Sequence, residues 1–300
     1  MRYKYEHLTE RIPYFEVQQK RKKMNENDIG HHIGQLKLLF SEILFISKFI
    51  EMKPTKVLYV GAGSDGYHNS YLADMFPEIQ FDLWDPGKFV VSPKPNIKIF
   101  NKFFRNDSAD KYANDVKNGE KLLFMSDIRN LEIANNRENL DKIDRIVIAD
   151  MNDQMNWSRI IRPIASYLKF RLPYKIEKFR YFRGPVYLQP FSPLSTEARI
   201  VVTNFDDMKM YDSIEFDEKM AYFNHVIRSK KIKYKKWRNI MEKYNIINNW
   251  DSAYCFHILY YYLTKTNKNN SEESVAKLFL DIVDFYRKYN SKKADKLFYK

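Results

Sequence analysis

Lys56-Val-Leu-Tyr-Val-Gly61-Ala-Gly63-Ser-Asp-Gly66 decides the fold. An apolar run of strand length opens into three glycines spaced G-x-G-x-x-G, and a helical pattern over residues 68–76 follows. Glycines at the end of a strand let the chain turn sharply and let its backbone approach a ligand closely. Residues 79–84 read as the next strand, which ends in Asp85, 19 residues after Gly66. A carboxylate at that place can accept hydrogen bonds from a ribose diol. The unit fits a nucleoside-bearing cofactor, either a nicotinamide dinucleotide or S-adenosylmethionine. Asp65, inside the loop, would repel a pyrophosphate, which favours S-adenosylmethionine.

Working outward, residues 96–100 and 121–126 read as further strands, the second ending in Asp127. Residues 167–172 and 198–203 complete the strand set. Residues 142–165 are ambiguous: Ile146-Val-Ile-Ala has strand character, yet 144–164 fits one helix. Upstream, Asn27 or Asp28 caps a predicted helix running to about Glu51, with Leu36, Leu39, Phe40, Ile43, Ile46 and Ile50 at helical spacing. Residues 215–300 are helical by pattern and rich in Tyr and Lys. Strands alternating with helices predict an α/β fold, Rossmann-like, with a central mostly parallel sheet and a helical C-terminal extension. Residues 1–27, with Lys20-Arg-Lys-Lys, read as a basic arm, loop-like and partly ordered. No Pro/Gly/Ser linker divides 28–300, which reads as one domain.

At 44% hydrophobic and 30% charged, 300 residues can bury a sizeable core. The formal charge of +13 favours a polyanionic partner, nucleic acid first. The single cysteine, Cys255, excludes an internal disulfide and a cysteine-cluster zinc site, and no metal is expected. Sparse cysteine suits a reducing compartment. No apolar run approaches the ~20 residues of a membrane span, and no secretory h-region is visible at the start.

Four charged residues lie on or beside apolar elements. Lys37 is centred on the stripe of the first helix, between Ile33, Phe40 and Leu44, either buried or snorkelling at its edge. Asp127 ends a buried strand, where α/β sheets bind ligands, though a helix cap is the alternative. Strand alternation puts Tyr167, Lys169 and Arg171 on one face. Glu197 opens the strand 198–203. Two lysines and two carboxylates in such positions can form one charged cluster, suited to removing a proton from a hydroxyl and without a role in hydride transfer.

The local motifs around these residues are Gly34-Gln-Leu-Lys37-Leu-Leu-Phe-Ser-Glu, Ser126-Asp127-Ile-Arg129, Ala165-Ser-Tyr-Leu-Lys169-Phe-Arg-Leu-Pro173 and Gln189-Pro-Phe-Ser-Pro-Leu-Ser-Thr-Glu197-Ala-Arg199. With Glu218-Lys-Met-Ala-Tyr-Phe-Asn224 they span residues 33–226. In this set the chain resembles the poxvirus-type cap-specific mRNA 2′-O-methyltransferases, which in poxviruses double as the small, processivity subunit of poly(A) polymerase. The resemblance implies a methyltransferase fold and S-adenosylmethionine as cofactor. It implies a Lys37–Asp127–Lys169–Glu197 tetrad with Lys169 as base on the ribose 2′-hydroxyl. It places Gln35, Tyr59, Gly61, Asp85, Phe103, Phe104 and Asp127 at the cofactor, to which the glycine turn itself adds Gly63 and Gly66, and Tyr14, Tyr174 and Asp217 at the 7-methylguanosine cap. It implies capped mRNA and a poly(A) polymerase catalytic subunit as partners, and residence in host cytoplasm or virion. The chain departs from the family in three places: the glycine loop is one residue longer, Pro86-Gly87 follows Asp85 where the family has an arginine two residues on, and Ile176 replaces a cap-binding carboxylate beside Glu177.

Two C-terminal stretches stand outside the resemblance. Arg228-Ser-Lys-Lys-Ile-Lys-Tyr-Lys-Lys-Trp-Arg238 interleaves aromatics with charge, as an RNA-tracking segment or a solvated helix face does. Trp250–Leu263 is apolar and aromatic and reads as core.

Overall fold

The computed structural model describes residues 3–16, 34–63, 66–128, 140–192, 195–228 and 234–289. Helix α1, Gly34–Phe49, buries every residue from Leu36 to Ser47. The predicted cap at 27–28 lies outside the described residues. Strand β1, Lys56–Val60, leads through the glycine turn to α2, His68–Met75. Then come β2, Gln80–Trp84, β3, Ile97–Phe100, α3, Asn106–Lys117, and β4, Leu122–Ser126.

The ambiguous stretch resolves as one helix, α4, Leu140–Ile161. Its buried residues Ile143, Val147, Met151, Gln154, Ser158 and Ile161 recur three or four apart, so the helical period prevails over the local β-branched run. Next are β5, Ala165–Phe170, β6, Lys178–Phe182, β7, Val186–Tyr187, β8, Ala198–Val202, and β9, Met208–Asp212. Helices α5, Ser213–Tyr222, α6, Arg238–Lys243, α7, Trp250–Lys265, and α8, Glu272–Arg287, complete the set among the described residues. A side-chain oxygen caps α5, α7 and α8, from Asp212, Asn249 and Ser271.

The main sheet has the order β3-β2-β1-β4-β5-β8-β7, while β6 and β9 form a separate ribbon. Strands β3, β2, β1, β4 and β5 are parallel, and β8 runs against both β5 and β7. This is the mostly parallel α/β sheet read from the sequence. The chain reverses direction across the sheet between β1 and β4, so their carboxyl ends flank the crevice where ligands bind in such folds. Among the described residues the main apolar core runs from Leu8 to Tyr286, with a small satellite of Ile12 and Ala221.

Two basic segments are anchored to the body. Within the predicted arm, residues 3–16 are packed against it. Lys4 bridges to Tyr187, the amide of Leu188 donates to the carbonyl of Tyr3, and Leu8 and Ile12 are buried. Apolar side chains within the basic segment pull it onto the body, whereas Lys20-Arg-Lys-Lys lies outside the described residues. In the run 228–238, Lys235, Lys236 and Arg238 are exposed, whereas other residues turn inward. Arg228 is buried, stacks on Phe223 and Trp250, and pairs with Asp251, while Trp237 is buried against Phe256. Both ends of the run are anchored; 229–233 lie outside the described residues. Trp250–Leu263 is core, as read: α7 packs against α1 and α8.

Candidate functional site

Direction of travel explains why four separated segments meet. Asp127 follows the carboxyl end of β4, and Lys169 sits near that of β5. Because β8 is reversed, its amino end reaches the same rim and brings Glu197 and Arg199 there. Lys169 pairs with Arg199 in the β5–β8 register. The early turns of α1 lay Lys37 across them.

The cluster is buried and dense. Lys37 Nζ donates to Glu197 Oε1 at 2.6 Å. Lys169 Nζ lies 3.0 Å from Asp127 Oδ1 and 3.4 Å from Glu197 Oε2. Arg199 reaches the same oxygen of Asp127 at 2.8 Å and Glu197 Oε1 at 3.2 Å. Three cations therefore face two carboxylates, a formal excess of one positive charge. The Lys169 ammonium is close enough for ion pairing, yet its angles satisfy no hydrogen bond among the described residues. Lys169 also lines a small cavity with Ile128, Val147, Met151, Gln154 and Arg171. Its nitrogen is thus held by charge rather than saturated by acceptors.

Electrostatics follow from this packing. Burial pushes the Lys37 ammonium below its ordinary value; Glu197 opposes that shift and Arg199 adds to it. Burial alone would raise Asp127, but Arg199 and Lys169 outweigh it and hold its carboxyl well below the usual carboxylate range. The two carboxylates in turn hold the Arg199 guanidinium above its ordinary value against its burial.

Sequence reasoning assigned no role to Arg199 and Gln154. Arg199 is only 1% exposed. Its signal was present: it stands two residues from Glu197, hence on the same face of the strand. Gln154, also buried, accepts from the Lys169 amide at 3.0 Å and donates to its carbonyl at 3.3 Å. Register between β4 and β5 ends at Leu168, so this side chain replaces the missing strand partner. That role was invisible while 142–165 was ambiguous.

The glycine turn lies beside the cluster. Gly61 has φ +77, and a Cβ there would lie 2.7 Å from the carbonyl carbon of Asp127 and the amide nitrogen of Ile128. Only glycine lets β1 and β4 close to that distance. The Gly63 amide donates to Asp85 Oδ2 at 3.0 Å and the Gly87 amide to Oδ1 at 2.7 Å, which fixes the carboxylate at the end of β2 with lone pairs to spare. Gly66 packs its α-carbon against the Ala62 carbonyl, where a Cβ would clash at 2.4 Å. A close backbone turn facing an oriented acid suits a nucleoside.

Other predicted cofactor residues divide. Phe103 is exposed, whereas Phe104 is enclosed by Trp84, Tyr112 and Trp157 and stands in the core. Gln35 contacts His68, whose other ring nitrogen lies 3.1 Å from Glu42. Tyr59 is buried and donates to Glu42 at 2.7 Å. These four residues form one internal network that ties α1 to β1 and α2, and Tyr59 belongs to this interior layer.

The predicted cap residues sit on two elements at the rim. Half-buried Tyr14 is held on α5: its amide donates to Glu218 at 2.6 Å, next to the buried Asp217. Tyr174 lies beyond β5, its amide bonded to Asp144 and its ring under the Arg171 guanidinium, 4.7 Å from the centroid. The two elements approach where the Ser213 amide donates to the Glu177 carbonyl. Ile176 is exposed in that loop.

A family model described as poly A polymerase regulatory subunit matches residues 2–288. The chain belongs to that family. Among relatives of this regulatory-subunit family member, a Fowlpox virus (strain NVSL) protein named cap-specific mRNA (nucleoside-2′-O-)-methyltransferase is 28% identical over 277 residues, 85% of each chain. Proteins of the same name from Myxoma virus, strains Lausanne and Uriarra, are 26% identical over 224 residues, which cover 66% of this chain and 62% of those proteins. The bluetongue virus VP4 structure, titled a multifunctional RNA-capping production-line, is a distant likeness: 13% identity and a TM-score of 0.41 over 60% of this chain and 30% of that one. Among the described residues, no helix is long and apolar enough to cross a membrane, and no cluster of metal-binding side chains occurs.

Proposed function

We propose that this chain methylates the ribose 2′-hydroxyl of the first transcribed nucleotide of 7-methylguanosine-capped mRNA. The carrying observation is the buried cluster of Lys37, Asp127, Lys169, Glu197 and Arg199 beside the Gly61 turn. S-adenosylmethionine, when bound, supplies an electrophilic sulfonium methyl. Gly61, Gly63, Gly66 and Asp85 would hold it, with Gln35, Phe103 and Asp127 at its edges and Tyr59 and Phe104 as backing.

Lys169 takes up the 2′-hydroxyl proton. A lysine does this only when neutral, and ordinary lysine is protonated at neutral pH. The cluster gathers three cations around two carboxylates, one cation more than it has anions to pair. Lys169 lines the cavity, while Lys37 is committed to Glu197. Asp127 and Glu197 hold the Lys169 nitrogen in place, which aligns the attacking oxygen. Tyr14 and Tyr174 would flank the cationic cap base, a cation–π arrangement, and Asp217 would accept from its N–H edge. Family membership supports a second role beside a poly(A) polymerase catalytic subunit, in host cytoplasm or virion.

The test is labelled methyl transfer to short RNAs bearing a 7-methylguanosine cap, an unmethylated cap or a bare 5′ triphosphate. Transfer confined to the methylated cap, reduced about 10²–10⁴-fold by Lys169→Ala with cofactor and cap binding intact, is expected. Transfer to all three RNAs discards the cap assignment of Tyr14, Tyr174 and Asp217. No transfer from folded, RNA-binding protein overturns the methyl-transfer proposal.

A further inference from the structure

The basic run of 228–238 finds its setting on α7. With Arg228 and Trp237 buried as anchors, the chain presents Lys235 and Lys236 as exposed residues at the foot of that helix. Lys236 Nζ stands 4.3 Å from the ring centroid of Tyr260 and 4.6 Å from that of Trp237. Most of α7 is buried, and the stripe left open is His257, Tyr260, Tyr261, Thr264 and Lys265. These residues are three or four apart and form one outward face.

Lysines from distant segments converge on the same face. Lys265 lies over Tyr261 at 5.8 Å, while Lys4 and Lys48 both approach Tyr187, at 5.4 and 5.6 Å. Tyr3 contacts His257 and stacks near Tyr187 and Tyr254, which joins the two groups. The nearby acids are Glu51, paired with Lys265, and Glu6, bonded to the Val186 amide. Burial, then Lys4, then Lys265 push the Lys48 ammonium below its ordinary value, as self-repelling like charges do. An anion laid across them would relieve that repulsion.

The geometry points to a second RNA-binding surface, on α7 and its flanks, that holds a single strand by its phosphates at Lys4, Lys48, Lys235 and Lys236 and stacks bases at Tyr260 and Tyr261. Half-exposed aromatics interleaved with lysines are the arrangement for single strands, whose bases are free to stack. The ring contacts keep the ammonium groups extended over the surface and leave them exchangeable for a base. Lys48 follows Lys37 by eleven residues on α1, so at 1.5 Å per residue the surface lies about 16 Å from the charged cluster. This inference does not depend on methyl transfer.

The test is fluorescence anisotropy of uncapped oligoadenylate and of duplex RNA over a salt series. Proteins are wild type, Lys4→Gln/Lys48→Gln/Lys235→Gln/Lys236→Gln, and the wholly surface pair Lys235→Gln/Lys236→Gln, with Tyr260→Ala/Tyr261→Ala beside them. Four lost phosphate contacts should flatten the slope of log affinity against log salt by about 3 on the single strand. The tyrosine variant should weaken oligoadenylate by about tenfold or more and leave the duplex unaffected. Binding of a cap analogue should be unchanged throughout. Unchanged oligoadenylate affinity in the lysine variants overturns the proposal and leaves the face to a protein partner. Equal losses on single strand and duplex overturn the single-strand assignment.

Discussion

Arg199→Met tests the electrostatic logic of the cluster. The Arg199 guanidinium and Lys169 Nζ lie 2.8 and 3.0 Å from the same oxygen of Asp127, so the two nitrogens are no more than about 6 Å apart. Two unit charges at that separation, with an effective dielectric of about 20, repel by about 3 kcal/mol. That corresponds to about two pH units. Arg199 is buried, so bulk solvent screens little of this. Its removal takes away a cation and leaves two carboxylates facing two lysines. The proton is then harder to remove, and the ascending limb of the pH–rate profile should move about two units to higher pH. Single-turnover methyl transfer to a short capped RNA across a pH series reads this directly. Rate at neutral pH should fall about a hundredfold and recover as pH rises. Arg199→Lys, which keeps the charge, should leave the limb near its wild-type position. A uniform loss at all pH values, with the limb unmoved, would refute the reasoning and reduce Arg199 to a packing role.

Gln154→Leu should leave the Lys169 amide and carbonyl unpaired, costing about 1–3 kcal/mol in urea unfolding and lowering kcat with little change in KM for RNA. Gly61→Ala forces a Cβ against the Asp127 and Ile128 backbone at positive φ, and should abolish cofactor binding in calorimetry or prevent folding. Asp127 has a depressed folded-state pKa, so its pairing stabilises the protein fully above about pH 4 and is lost as pH falls through the folded value. Asp127→Asn should therefore be less stable than wild type at neutral pH, and the gap between their melting temperatures should narrow in acid.

The strand–glycine–helix unit and the α/β alternation were legible because each is local: apolar runs, turn residues and period. Lys37, Asp127, Lys169 and Glu197 could be singled out because each carries charge on an apolar element, and the structure brings all four together. Arg199 escaped because alternation puts it beside Glu197 without saying what lies opposite; that needs the reversed direction of β8. Gln154 escaped because its function is to stand in for a strand. Phe104 could not be told from Phe103 by sequence, since the distinction lies in Trp84, Tyr112 and Trp157 closing around one ring. The basic segments misled in one way: Leu8, Ile12 and Trp237 anchor stretches that net charge alone assigns to solvent.

The N-terminal segment has a mechanical consequence. Tyr3 and Lys4 pair along β7, the outermost strand of the sheet, and the Glu6 carboxylate takes the Val186 amide. An uncovered strand there would offer its unpaired amides and carbonyls to any other exposed strand. Residues 3–8 act as a built-in stopper against edge-to-edge aggregation, and the same fourteen-residue strap goes on to clip its Ile12 and Tyr14 amides onto Glu218 of α5. Peeling it away would unseal the sheet and release Tyr14 in a single event. Under the cap assignment proposed for Tyr14, solubility and substrate capture would then fail together.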